Sequence, residues 1–134
     1  MKIGIFDGTI SFDGGDIRCK LSRKQFLESK VGRESKESLV NQDWRHYHIE
    51  PEQGIAGTVL FKAETIDRIF LTMRIPSDET KEWTEERELE RKALHDRWLR
   101  TELGDPPYDY AWGRIVSEFD QKGLVSEIIV VYEH

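Results

Sequence analysis

Four histidines, one cysteine and 26 carboxylates are the side chains here that could do chemistry. His46 and His48 are two residues apart, the separation that places both on one face of a strand, as paired metal ligands can be. A zinc site needs three or four donors in tetrahedral reach. No sequence feature fixes His95 or His134 nearby, so a structural or surface role is the expectation for the pair. Cys19 would need an activating base or a helix N-terminus to act as a nucleophile. It alternates with Ile17 and Leu21 and is expected to face the core. Paired acids such as Asp105, Asp109, Glu118 and Asp120 can hydrolyse glycosides when their surroundings separate their pKa values, but among 26 acids a pair carries no signal. There is no glycine-rich phosphate loop, no dinucleotide-binding glycine pattern and no Gly-x-Ser-x-Gly elbow. No catalytic, cofactor-binding or metal-ligating residue is assigned.

The elements that must position these groups centre on one helix, predicted over 77–103. Ser77 is its expected cap and Pro76 sharpens its start; Gly104, Pro106 and Pro107 end it. Acids crowd its first half and Arg91, Lys92, Arg97 and Arg100 its second, which complements the helix dipole. Trp83, Leu94 and Trp98 fall together at helical spacing, so the helix is expected to lie on a sheet. Residues 2–21 read as a three-stranded meander with a hairpin at Asp7-Gly8. Ser22 then caps a short helix, about 23–30, ended by Gly32. The polar stretch 33–43 reads as a surface loop. Strands are expected at 44–49, 58–63, 66–75, 112–120 and 124–132, the last apolar at Ile128 to Val131 and so covered on both faces. The whole reads as one α+β domain, 1–134: a largely antiparallel sheet of six to eight strands packed by one long and one short helix.

Charged residues make up 34% of the chain and the net charge is −6. That balance speaks against direct nucleic-acid binding, which wants a basic face, and suits solubility or a basic protein partner. A single cysteine allows no internal disulfide. No signal peptide or membrane span is read, so a cytoplasmic protein is expected. Trp44, Trp83, Trp98 and Trp112 are expected to pack, whereas Tyr108 and Tyr110, in a proline-bounded loop, are candidates for a contact surface.

The tryptophan pattern at Trp83 and Trp98, the run Trp112-Gly113-Arg114-Ile115-Val116-Ser117-Glu118-Phe119-Asp120, and the closing Ile128-Ile129-Val130-Val131-Tyr132 resemble small bacterial single-domain proteins of the immunity type. The likeness covers roughly the C-terminal half. It implies a stoichiometric inhibitor that binds a cognate toxin, with no cofactor and no residue role carried over. On that reading the expected partner contacts are Glu79, Glu82 and Glu86 early in the helix and the loop with Asp105, Tyr108, Asp109 and Tyr110, acids that would steer a basic partner. Two alternatives stand beside it: a small hydrolase with acids and His46 or His48 in a cleft, and a self-associating module, so that monomer and homodimer both remain open.

Overall fold

The computed structural model describes residues 1–80 and 82–133. Lys81, inside the predicted long helix, and His134 lie outside them. The chain opens with the expected meander, β1 (Lys2–Ile3), β2 (Ile10–Phe12) and β3 (Gly15–Ile17), a small antiparallel sheet of its own. Ser22 caps α1 (Arg23–Glu28) through a reciprocal box: the Gln25 N–H donates to Ser22 Oγ at 3.0 Å, and the Ser22 N–H donates to Gln25 Oε1 at 3.1 Å. Gly32 does not end this helix. Ser29 ends it and caps a second turn, α2 (Lys30–Arg33). Gly32 lies within that turn because a Cβ there would stand 1.7 Å from the Phe26 carbonyl oxygen.

The expected loop at 33–43 holds a strand, β4 (Lys36–Val40), at the edge of a seven-stranded sheet. An edge strand exposed on both faces needs no apolar alternation, and charged residues there discourage pairing with other chains. Next come β5 (Trp44–Glu52), β6 (Ile55–Lys62) and β7 (Thr65–Met73). Pro51 is tolerated inside β5 because the register shifts between Ile49 and Glu52. The chain closes with β8 (Tyr108–Tyr110), β9 (Gly113–Asp120) and β10 (Val125–Tyr132). The order is β4-β5-β6-β7-β10-β9-β8, with every pairing antiparallel. The class is α+β, with ten strands among the described residues because several strands of two to five residues gave no alternation to count.

The long helix, α3 (Glu85–Leu103), starts later than the sequence suggests. Pro76–Glu79 form a 3-10 turn instead, in which Asp78 Oδ2 accepts the Ile75 N–H at 2.9 Å. Thr84, not Ser77, is the cap of α3, accepting the Arg87 N–H at 3.1 Å. The helices and the meander pack on one face of the large sheet. Phe26 meets Tyr47 and Phe61 there, with ring centroids 5.5 and 5.3 Å apart, and Leu99, Ile69, Leu71, Ile128, Val130 and Tyr132 complete the same core. β10 is central in the sheet but not sandwiched. Ile129, 8% exposed, is covered by its lateral neighbours Phe70 and Val116 rather than by a second layer. No described helix is long and apolar enough to cross a membrane.

Candidate protein-binding surface

The first cluster of charge is buried and structural. Successive inward residues of α3 are Glu88, Arg91, His95 and Leu99, all buried. Arg91 donates to the Met73 carbonyl at 2.5 Å and forks onto Asp78 through both terminal nitrogens. Glu88 accepts the Ser126 N–H at 3.0 Å, and the Ser126 hydroxyl donates to the Glu88 carbonyl at 2.5 Å. The Met73 N–H donates to His95 Nε2 at 3.0 Å. These bonds clamp α3 to the ends of β7 and β10. Arg91 is the largest cause holding the Asp78 carboxyl down to about 2, and burial holds His95 down to about 4. Most of these polar arms point at another part of the fold, so the cluster fixes a helix; His95 Nδ1 has no hydrogen bond among the described residues, and Asp78, Glu88 and Arg91 also line a depression of about 530 Å³ with Arg74, Arg87 and Glu127.

The acids expected to meet a partner are exposed but lie in two places. Glu79, in the 3-10 turn, Glu82 and Glu86 sit at the start of α3, while Asp105 and Asp109 lie past its end. Most of the 19-residue helix α3 separates the groups, roughly 25 Å at 1.5 Å per residue. Tyr108 is buried, its hydroxyl donating to the Gly104 carbonyl at 2.9 Å. Tyr110 is half-buried and stacks on Trp112, with centroids 5.1 Å apart.

Beside that stack is a surface feature that periodicity did not reveal. Phe6 is 94% exposed and Ile5 45% exposed, at the tip of the turn between β1 and β2. This turn is larger than a two-residue hairpin. The Gly4 N–H donates to the Thr9 carbonyl at 2.7 Å, the Gly8 N–H to the Gly4 carbonyl at 2.9 Å, and the Thr9 N–H to Asp7 Oδ1 at 3.0 Å. The last bond draws the Asp7 carboxyl below its usual value. From outside the turn, Trp112 Nε1–H donates to the Ile5 carbonyl at 2.8 Å, and the Tyr132 hydroxyl donates to the Gly8 carbonyl at 2.9 Å. Gly8 has φ of +72°, and a Cβ there would stand 2.5 Å from the Trp112 ring, so only glycine serves at this position. The result is a tip held by five hydrogen bonds and offering an aromatic ring to solvent. Asp7-Gly8 signalled a turn, and the readable clue was an aromatic inside it.

His46 and His48 share the outer face of β5, as their spacing implied, with His46 half-buried and His48 exposed. Among the described residues no group of three or more His, Cys, Asp or Glu could hold a metal. A cavity of about 420 Å³ beside His48 is lined by Asp13, Lys30, Glu34, Lys36 and Glu50, but no hydrogen bond among the described residues orients the imidazole. Cys19 is half-buried, its thiol 3.5 Å from the Glu133 carbonyl and 3.7 Å from that of Trp112, and it packs against the core.

No protein-family model matches this chain, and no curated protein does. Among solved structures, the fold is similar to that of a chain in the complex described as Rhs1-CT with its cognate immunity protein RhsI1. The TM-score is 0.61 at 14% identity, over 99% of this chain and 87% of the other.

Proposed function

We propose that this chain is a binding protein of the immunity type, acting in the cytoplasm by covering a cognate toxin domain stoichiometrically. The observation that carries the reading is the fold shared along nearly the whole chain with a chain of the Rhs1-CT and RhsI1 complex. The preorganised Phe6 tip supports it. Interfaces draw most of their energy from a few aromatic anchors seated in pockets, and an anchor already held in place loses little entropy on binding. In this reading Phe6 and Ile5 enter an apolar pocket of the toxin, with Asp7, Tyr110, Asp105 and Asp109 beside them. Tyr108 supports the loop from inside. Glu79, Glu82 and Glu86 add to the net charge of −6 that steers a basic partner and makes association fall with salt. The small-hydrolase alternative has the cavity of His48 with Asp13, Glu34 and Glu50 on its side, but no hydrogen bond among the described residues orients that imidazole.

The test is co-expression with the product of the adjacent gene, reading both complex formation and relief of toxicity. A one-to-one complex is expected. Phe6→Ala should leave the free protein folded and weaken the complex by about 2 kcal/mol, roughly thirtyfold. Absence of both complex and protection would reject the function. An intact complex that ignores Phe6→Ala would reject the anchor.

A further inference from the structure

The outer face of the seven-stranded sheet has a charge order that the cross-strand register makes explicit. A middle row runs Thr58, Phe70, Ile129, Val116. On one side of it lie Leu60, Arg68, Val131 and Arg114, with Asp109 beyond on β8. On the other side Glu127 stands opposite Glu118, and next along Val125 stands opposite Asp120. Along β9 the face therefore runs from basic Arg114 through apolar Val116 to acidic Glu118 and Asp120; on the neighbouring strands the order is mixed, since Arg68 is paired with Asp67 at 2.7 Å and Arg74 and Arg87 share a depression with Glu127. Among the described residues Arg114, Glu118 and Glu127 form no ion pair. Like charges directly opposite on neighbouring strands destabilise a sheet. Burial, and then Asp120 and Glu118, push the Glu127 carboxyl up. Val116 and Val125 remain 38% and 39% exposed in the same region.

We propose that this face pairs with the same face of a second copy, about a two-fold axis running across the strands through the Phe70–Ile129–Val116 row. That operation reverses strand direction but keeps strand order, so β9 lies over β9 and β10 over β10. Arg114 of each copy then stands over Glu118 of the other, and Arg68 is carried to the end that holds Glu127. Symmetry makes every such contact twice. Sheets packed face to face keep their strands within about 30° of alignment, so the pairing survives twist near the axis. A uniformly basic partner would meet Arg68 and Arg114, and a uniformly acidic one Glu118 and Glu127. A surface with the charges in reversed order suits both ends, and the chain turned by half a revolution presents that surface. Five to seven strands at about 4.8 Å and eight residues at about 3.3 Å give a footprint of roughly 600–900 Å² per copy, the size of a standard stable interface. A depression of about 570 Å³ between Arg68, Arg114 and Glu118 leaves room for the opposing side chains.

The turn carrying Phe6 lies outside this face and only Asp109, opposite Arg114 at its edge, belongs to both surfaces, so Phe6→Ala tests the toxin-binding reading and the Arg114 and Glu118 reversals test the pairing. The experiment is light scattering on the full chain at tens of micromolar, with two charge reversals at exposed positions. Wild type should give twice the 15.8 kDa chain mass. Arg114→Glu and Glu118→Arg should each weaken self-association by about a hundredfold and run as monomers. Mixed in equal amounts, they should recover the doubled mass, because each then supplies what the other lacks. A wild-type monomer at high concentration, a dimer indifferent to both reversals, or a mixture that stays monomeric would each overturn the pairing.

Discussion

Acidification should unfold this protein through His95, by an amount that follows from its surroundings. The imidazole is completely buried, and Nε2 already accepts the Met73 N–H. Burial is the largest cause of its lowered pKa, with Arg91 second and Lys92 adding to it. Asp96 and Glu88 pull the other way, and the balance is about 4. An unfolded histidine titrates near 6.5. Above that pH neither state holds the proton, and the residue contributes no pH dependence. As pH falls from 6.5 towards 4, the unfolded chain gains a proton that the fold refuses, and stability is lost. At pH 5 the loss from this one site is about 2 kcal/mol. The assay is urea unfolding of wild type and His95→Gln at pH 7.5 and pH 5. A glutamine can accept the Met73 N–H but does not titrate. Asp78, lowered to about 2, loses its contribution only as pH falls below about 4, and Glu127, raised, shifts stability in the opposite sense. Both act alike in the two proteins, so the wild type should lose about 2 kcal/mol more than the variant. Equal losses within about 0.5 kcal/mol would refute the neutral, sealed imidazole.

Other perturbations separate the buried clamp from the surface. Arg91→Leu leaves Asp78 and Glu88 only the longer ion pairs with Arg87, at 3.6 and 3.9 Å, and should cost about 3 kcal/mol; a urea midpoint showing less than about 1 kcal/mol would mean that the clamp does not hold the helix. Gly32→Ala has no room against the Phe26 carbonyl and should cost at least about 2 kcal/mol. Gly14→Ala, whose Cβ would meet nothing closer than 3.5 Å, should stay within about 0.5 kcal/mol of wild type by the same measurement. Association with the proposed toxin partner should slow as salt rises from 50 to 500 mM, measured by stopped-flow; a salt-independent rate would remove steering from the account.

Residue order alone determined a good deal. Alternation in 66–75 and in the closing strand, the turn glycines and the Glu-, Lys-, Arg- and Leu-rich run before Gly104 were enough for an α+β antiparallel fold with one long helix, because these signals are local. β4 could not be found this way, since an edge strand exposed on both faces has no period to detect. The start of α3 was misplaced because Ser77 and Thr84 both have capping chemistry. What separates them is Asp78, whose carboxylate is engaged by Ile75 and by Arg91 thirteen residues on. The inward side of α3 was legible only in part. Leu94 and Trp98 pack against the core as their spacing implied, but Trp83 precedes the helix and is exposed, and the buried positions include Glu88, Arg91 and His95, because Asp78, Met73 and Ser126 arrive there to bond them. The functional surfaces were decided by tertiary structure as well. Phe6 stands exposed on a fixed turn, and so can be proposed as an anchor, only because Trp112 and Tyr132, more than a hundred residues away in sequence, hold that turn in place. Arg114 and Glu118 lie two residues either side of Val116 on one face only because the helices pack on the other side of the sheet there. Composition could count these charges, but only strand register could order them.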